Sequence, residues 1–148
     1  MGSVIMSWLP KKVVVVPVDF SEESFEALDT ALANFVDDAS GLRIVYVLPA
    51  LVPAEPGVIW DTVDDHSRVT HAKQAFAERL SDPKWKGIGI DVVVGDAGRE
   101  IADFAHEVGA ELVVLPSHGR TGITRLLIGS TAERVVRLCH CPVLVLRN

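Results

Sequence analysis

Four consecutive valines, Val13–Val16, closed by Pro17, constrain this chain more than any other feature. An unbroken β-branched run offers no polar side, so as a strand it must be covered on both faces. Strands of that kind belong to parallel sheets sandwiched between helices, and the rest of the chain supplies the parts. "LRIVYVL" after Gly41, "IGIDVVVG", "ELVVLP" and "PVLVLRN" are further short apolar runs. Between them lie stretches of helical period. Phe25, Leu28, Leu32 and Phe35 share one face, with Ser21 placed to cap and Glu22 and Glu23 suited to the positive end of the dipole. Val69, Ala72, Phe76 and Leu80 keep the same spacing in a helix expected over about residues 61–80. "REIADFAHEVG" turns Ile101, Ala105 and Val108 inward and stops at Gly109. "STAERVVRLCH" is a short last helix.

Strands alternating with helices imply right-handed βαβ units. The fold expected is α/β: an open, mostly parallel, doubly wound sheet of five strands with helices on both faces. Such sheets bind ligands at the carboxyl ends of their strands, where the winding direction reverses. If the first and fourth strands are neighbours there, Pro17, Val18 and Asp19 face Pro116, Ser117 and His118. Sequence alone does not fix that adjacency.

The chain of 148 residues, 49% hydrophobic, reads as one domain over 1–148, with 1–11 an N-terminal extension. No apolar run approaches the roughly 18–20 residues of a membrane span. The first residues are too short and wrongly flanked for a signal peptide, so a cytoplasmic protein is expected. A net charge of −6, with no basic patch interleaved with aromatics, argues against nucleic acid as a partner. Cys139 and Cys141 flank His140, but no second ligand pair stands at zinc spacing, and they read as small apolar residues before the last strand; no metal is expected. His66 and His71, five residues apart, share no helix face and read as surface groups. The proline-rich segment 49–60 is a loop with no readable role.

The informative stretch is "ELVVLPSHGRTGITRLLIGSTAERVV", residues 111–136. Gly119 and Gly122 allow positive φ and close approach to a ligand. Gly129 and Ser130 stand where the last helix begins, and Ser130-Thr131-Ala132-Glu133 fits a capping box. A helix N-terminus with free N–H groups is a ready anion site. Hydroxyls of Ser130 and Thr131, with Arg120 and Arg125 nearby, suit a phosphate. The plain alternative is that the glycines make turns and Ser130 only caps. Neither the Gly-Lys-Ser/Thr of a P-loop nor a dinucleotide-binding G-x-G-x-x-G is present, and "GIG" at 87–89 precedes a strand instead of following one.

Three segments in order, "VVVVPVDFSEES", the loop just quoted and "CPVLVLRN", resemble the universal stress protein family over about residues 12–148. The resemblance implies the strand order 3-2-1-4-5. Family members that bind ATP share Gly-x2-Gly-x9-Gly-Ser/Thr. Here Gly119, Gly129 and Ser130 match, while Pro116 replaces the first glycine. Proline lacks an N–H and adds bulk, so weakened or reshaped binding at the sugar end is expected, with the phosphate donors at residues 129–131 intact. Asp19 matches the acidic residue near base and ribose, and Val47 matches a residue whose backbone reads the adenine edge. The site set implied is Pro17, Val18, Asp19, Val47, Pro116, His118, Gly119, Arg120, Gly122, Gly129, Ser130 and Thr131. Gly95 resembles a structural glycine of the third loop.

The function implied is a cytoplasmic stress-response protein. It binds ATP, with or without Mg, or AMP or a cyclic nucleotide, as a regulatory ligand. It acts as a homodimer through residues 142–147, toward a protein partner the sequence does not name. Two alternatives stay open: a nucleotide-free dimeric interaction module, and a slow ATP hydrolase. No placed general base is visible, so activity beyond weak ATP hydrolysis is not expected.

Overall fold

The computed structural model describes residues 7–51, 64–118 and 128–147. Within them, β1 (Val14–Pro17), α1 (Glu22–Asn34), β2 (Leu42–Leu48), α2 (Asp65–Arg79), β3 (Gly89–Val94), α3 (Ala97–Glu107), β4 (Leu112–Pro116), α4 (Ser130–Leu138) and β5 (Val143–Leu146) follow in order. The strands form one sheet in the order β3-β2-β1-β4-β5. Each adjacent pair is parallel. The winding therefore reverses between β1 and β4.

The valine run does what its lack of polar positions demands. Val14, Val15 and Val16 are completely buried. Val14, Val16 and Val18 point to one face, with Leu42, Ile44, Leu112 and Val114, against Phe25, Leu28 and Ala31 of α1 and Phe76 of α2. Val15 points to the other, with Val45, Val113 and Leu115, against Ile101, Phe104 and Ala105 of α3 and Ala132 and Val135 of α4. At about 1.5–3 kcal/mol for each such side chain removed from water, this packing fixes β1 as the centre of the sheet.

Helix starts are set by caps, and two were misplaced by the hydrophobic pattern. Ser21 caps α1 as expected, accepting from the Ser24 N–H. α3 begins at Ala97, two residues before the start read from periodicity, because the Asp96 side chain accepts from the Arg99 N–H. α2 begins at Asp65, where the Asp64 side chain accepts from the Ser67 N–H; of the expected earlier start, residues 61–63 lie outside the described residues.

The capping box expected at Ser130 does not form. Gly129 is the N-cap of α4, and Ser130 is its first helical residue. The cause is crowding: the Gly129 N–H donates to the Ser117 carbonyl at 2.7 Å, and a Cβ on Gly129 would stand 2.9 Å from that same oxygen. Only glycine lets the chain approach so closely. Glu133 pairs instead with Arg137, one turn along. α4 ends at Leu138 and not at His140, since Cys139 is already extended. Gly109 closes α3 as expected, at φ +66°, with the Ala110 N–H reaching back to the Ala105 carbonyl.

Candidate functional site

At the carboxyl ends of β1, β2 and β4 the sheet opens into a cleft of about 230 Å³. Pro17, Val18, Asp19, Val47, Pro116, Gly129, Ser130 and Thr131 all line it, so eight of the residues singled out in the sequence meet around one space. His118 is not on its lining: its Nδ1 lies 3.1 Å from the Ser117 hydroxyl. Gly119, Arg120, Gly122 and Arg125 lie outside the described residues, as does most of the proline-rich loop. The lining also includes Ser24, Tyr46, Ala97, Ile101 and Ser117. Of these, Ser117 had been placed at the crevice by strand position alone. Tyr46 and Ala97 carry no motif; the register of β2 with its neighbours and the start of α3 after β3 bring them to the cleft.

The cleft lies at the switch point between β1 and β4, and there the ladder between the two strands stops early. The two strands pair only at Val14 with Leu112 and Val15 with Val113. In a parallel ladder, the N–H and C=O of alternate residues face the same neighbour. The Val18 N–H donates to Val45 of β2, so the amide position of Pro17 faces β4. The Val113 and Ser117 N–H groups donate to Pro142 and Leu146 beside β5, so the amide position of Pro116 faces β1. The next two bonds between β1 and β4 would need the N–H groups of residues 17 and 116, and proline supplies neither. Pro116 thus costs no bond to β5, with which β4 stays in register to its end. It takes a donor from the rim of the cleft alone.

Two helix N-termini reach this space from the same face, and they differ in charge. α3 carries its own counter-charge: Asp96 caps it and pairs with Arg134 of α4 at 3.0 Å. α4 has a glycine cap, and its first acidic side chain, Glu133, is turned to Arg137. The first intrahelical bond of α4 runs from the Glu133 N–H to the Gly129 carbonyl. The amides of Ser130, Thr131 and Ala132 therefore have no partner inside the helix, and all three residues line the cleft. Positive dipole, amides and two hydroxyls converge there, an arrangement built to hold an anion.

Asp19 lines the same cleft. Its Oδ1 accepts from both the N–H and the hydroxyl of Ser21, while its own N–H donates to the Ser24 hydroxyl at 3.3 Å. Much of the remaining lining is apolar: Val18, Val45, Val47, Ile101, Leu115 and the two prolines. An anion site, a carboxylate and apolar walls therefore share one cleft. On the same side of the sheet as α3, Cys139 and Cys141 pack into the core. Burial pushes the Cys139 thiol up to about 11, which keeps it neutral at physiological pH.

The universal stress protein family model matches residues 11–147. The chain belongs to the universal stress protein family. The universal stress protein MJ0531 of Methanocaldococcus jannaschii is 32% identical over 143 residues, covering 93% of this chain and 82% of that one. Among solved structures, MJ0577 of the same archaeon superposes with a TM-score of 0.72 at 27% identity, covering 95% of this chain and 98% of that one. A universal stress protein solved in complex with cAMP has the same fold, with a TM-score of 0.62 at 22% identity over 94% of this chain and 98% of that one.

Proposed function

We propose that this universal stress protein binds an adenine nucleotide in the cleft as a regulatory ligand. The observation that carries the proposal is one cleft lined both by the α4 N-terminus, free of any acidic cap, and by Asp19, two residues before the cap of α1. Phosphates suit the first and a ribose diol or base suits the second, since a carboxylate can accept two hydrogen bonds from neighbouring hydroxyls. Val47 contributes backbone at the base end, and the apolar walls take the ring faces. A family member holding cAMP is in keeping with this ligand class. ATP, with or without Mg, is the reference ligand, with AMP and cyclic nucleotides as the comparison set.

The same reading makes the protein a cytoplasmic homodimer joined through residues 142–147. Among the described residues no helix is long and apolar enough to cross a membrane. β5 is an edge strand whose four residues, Val143–Leu146, carry no charge, and its outer backbone groups offer a template for a second copy. Two such edges paired antiparallel about a two-fold axis form a closed interface.

Thermal unfolding tests the ligand. Nucleotide at about 100 times its Kd adds about 2.7 kcal/mol. At 2–4 °C per kcal/mol for a chain near this size, saturating Mg-ATP is expected to raise Tm by roughly 5–10 °C. No shift with ATP, AMP or cAMP, and no heat in calorimetry, would leave the nucleotide-free module as the better reading.

A further inference from the structure

We propose that Phe20 is a positioning residue for the cleft: a strained, aromatic-clamped turn that aims Asp19 at the ligand. The inference rests on the nucleotide reading above and extends it to a residue outside the cleft lining. The observation is conformational. Phe20 has φ +65°, the left-handed region, and among the described residues no other non-glycine residue has positive φ. The chain must turn sharply here. Val18 still bonds to β2, Ser21 already caps α1, and only Asp19 and Phe20 lie between. Glycine or asparagine would meet that dihedral with less strain. A large side chain held in such a place needs surroundings that over-determine it.

The surroundings do so. The Phe20 ring stacks on Phe76 of α2 with centroids 4.2 Å apart. It meets Tyr46 of β2 edge-on at 5.0 Å and Phe25 of α1 at 6.0 Å. Phe76 is completely buried, and Tyr46 is itself on the cleft wall. One ring is therefore gripped by α1, α2 and β2, and its backbone joins Asp19 to Ser21. With Phe20 fixed, the Ser21 N–H and hydroxyl both reach Asp19 Oδ1, which fixes the carboxylate of a residue that lines the cleft. The strain is a cost that an ordinary structural turn would shed by becoming glycine.

The test uses Phe20→Gly, which relaxes the dihedral and removes the ring, and Phe20→Leu, which keeps apolar bulk without the ring. Both are measured with Asp19→Ala and the corresponding double variants, at temperatures well below each Tm. ATP affinity is expected to fall about tenfold in Phe20→Gly. In the Asp19→Ala background the same change is expected to shift Kd by less than about twofold, because the two residues act as one unit. A merely structural role would lower Tm but leave the two substitutions additive in Kd. If Phe20→Gly does not fold, Phe20→Leu carries the same cycle. A second readout needs no ligand: amide exchange of Ser21 is expected to quicken about tenfold in Phe20→Gly, with β4 amides unchanged. Wild-type affinity in either Phe20 variant, full additivity with Asp19→Ala, or unchanged Ser21 exchange would overturn the proposal. A wild type that binds no adenine nucleotide would remove the nucleotide reading, and Ser21 exchange would still decide the role of Phe20.

Discussion

At the residue scale, the correction at Ser130 sharpens what a substitution there reports. Because Gly129 is the cap, Ser130→Ala removes a hydroxyl from the cleft without removing a cap. Stability in urea is expected to change by less than about 0.5 kcal/mol, the ordinary range for a site without a special role. ATP affinity is expected to fall far more than adenosine affinity. Asp19→Ala is expected to weaken both ligands alike. Equal losses of ATP and adenosine in Ser130→Ala would place the phosphates elsewhere. Pro116→Gly returns an N–H to the cleft side of β4. ATP is expected to bind more tightly by a modest factor, while the chain loses about 0.4–1 kcal/mol through a freer unfolded state. Weaker ATP binding in that variant, read by calorimetry, would mean that the proline ring is itself a contact surface.

At the scale of elements, Gly129 joins two of them. Gly129→Ala would drive a Cβ against the Ser117 carbonyl, so the start of α4 and the end of β4 must separate. A cost of about 1–3 kcal/mol is expected from such overpacking, together with loss of nucleotide affinity, both measurable by urea titration with and without ATP. Retained affinity would show that α4 can shift without consequence for the ligand. This junction also shows where sequence reading reaches its limit. The strands were legible because their apolar runs are unbroken, as in β1. The inner faces of the helices were legible because Phe25, Leu28, Ile101 and Ala105 recur at helical spacing. Boundaries were harder, since Asp96 and Gly129 become caps through contacts with Arg99 and Ser117 that periodicity does not express. The early end of the β1–β4 ladder was hidden as well. Each proline is visible alone, but that their missing donors face each other follows only from register.

At the scale of the whole molecule, β5 carries the expected dimer. The carbonyls of Pro142 and Leu146 accept from β4, so the alternate residues Val143 and Val145 turn their N–H groups outward. Val145→Pro therefore removes an outward donor while sparing the bonds to β4, and Val145→Lys puts charge on the same edge. Sedimentation is expected to find a wild-type dimer and to move both variants toward monomer. A wild-type monomer at high concentration would reject this interface. One further property of the molecule follows from the two prolines. With only two residue pairs joining β1 to β4, the sheet has a seam between β3-β2-β1 and β4-β5, spanned on one face by α1, whose Phe25 and Leu28 pack with Val16 of β1 and Val114 of β4 alike. On the reading proposed above, a nucleotide held by Asp19 beside β1 and by the start of α4 beside β4 would bridge that seam where the rungs are missing.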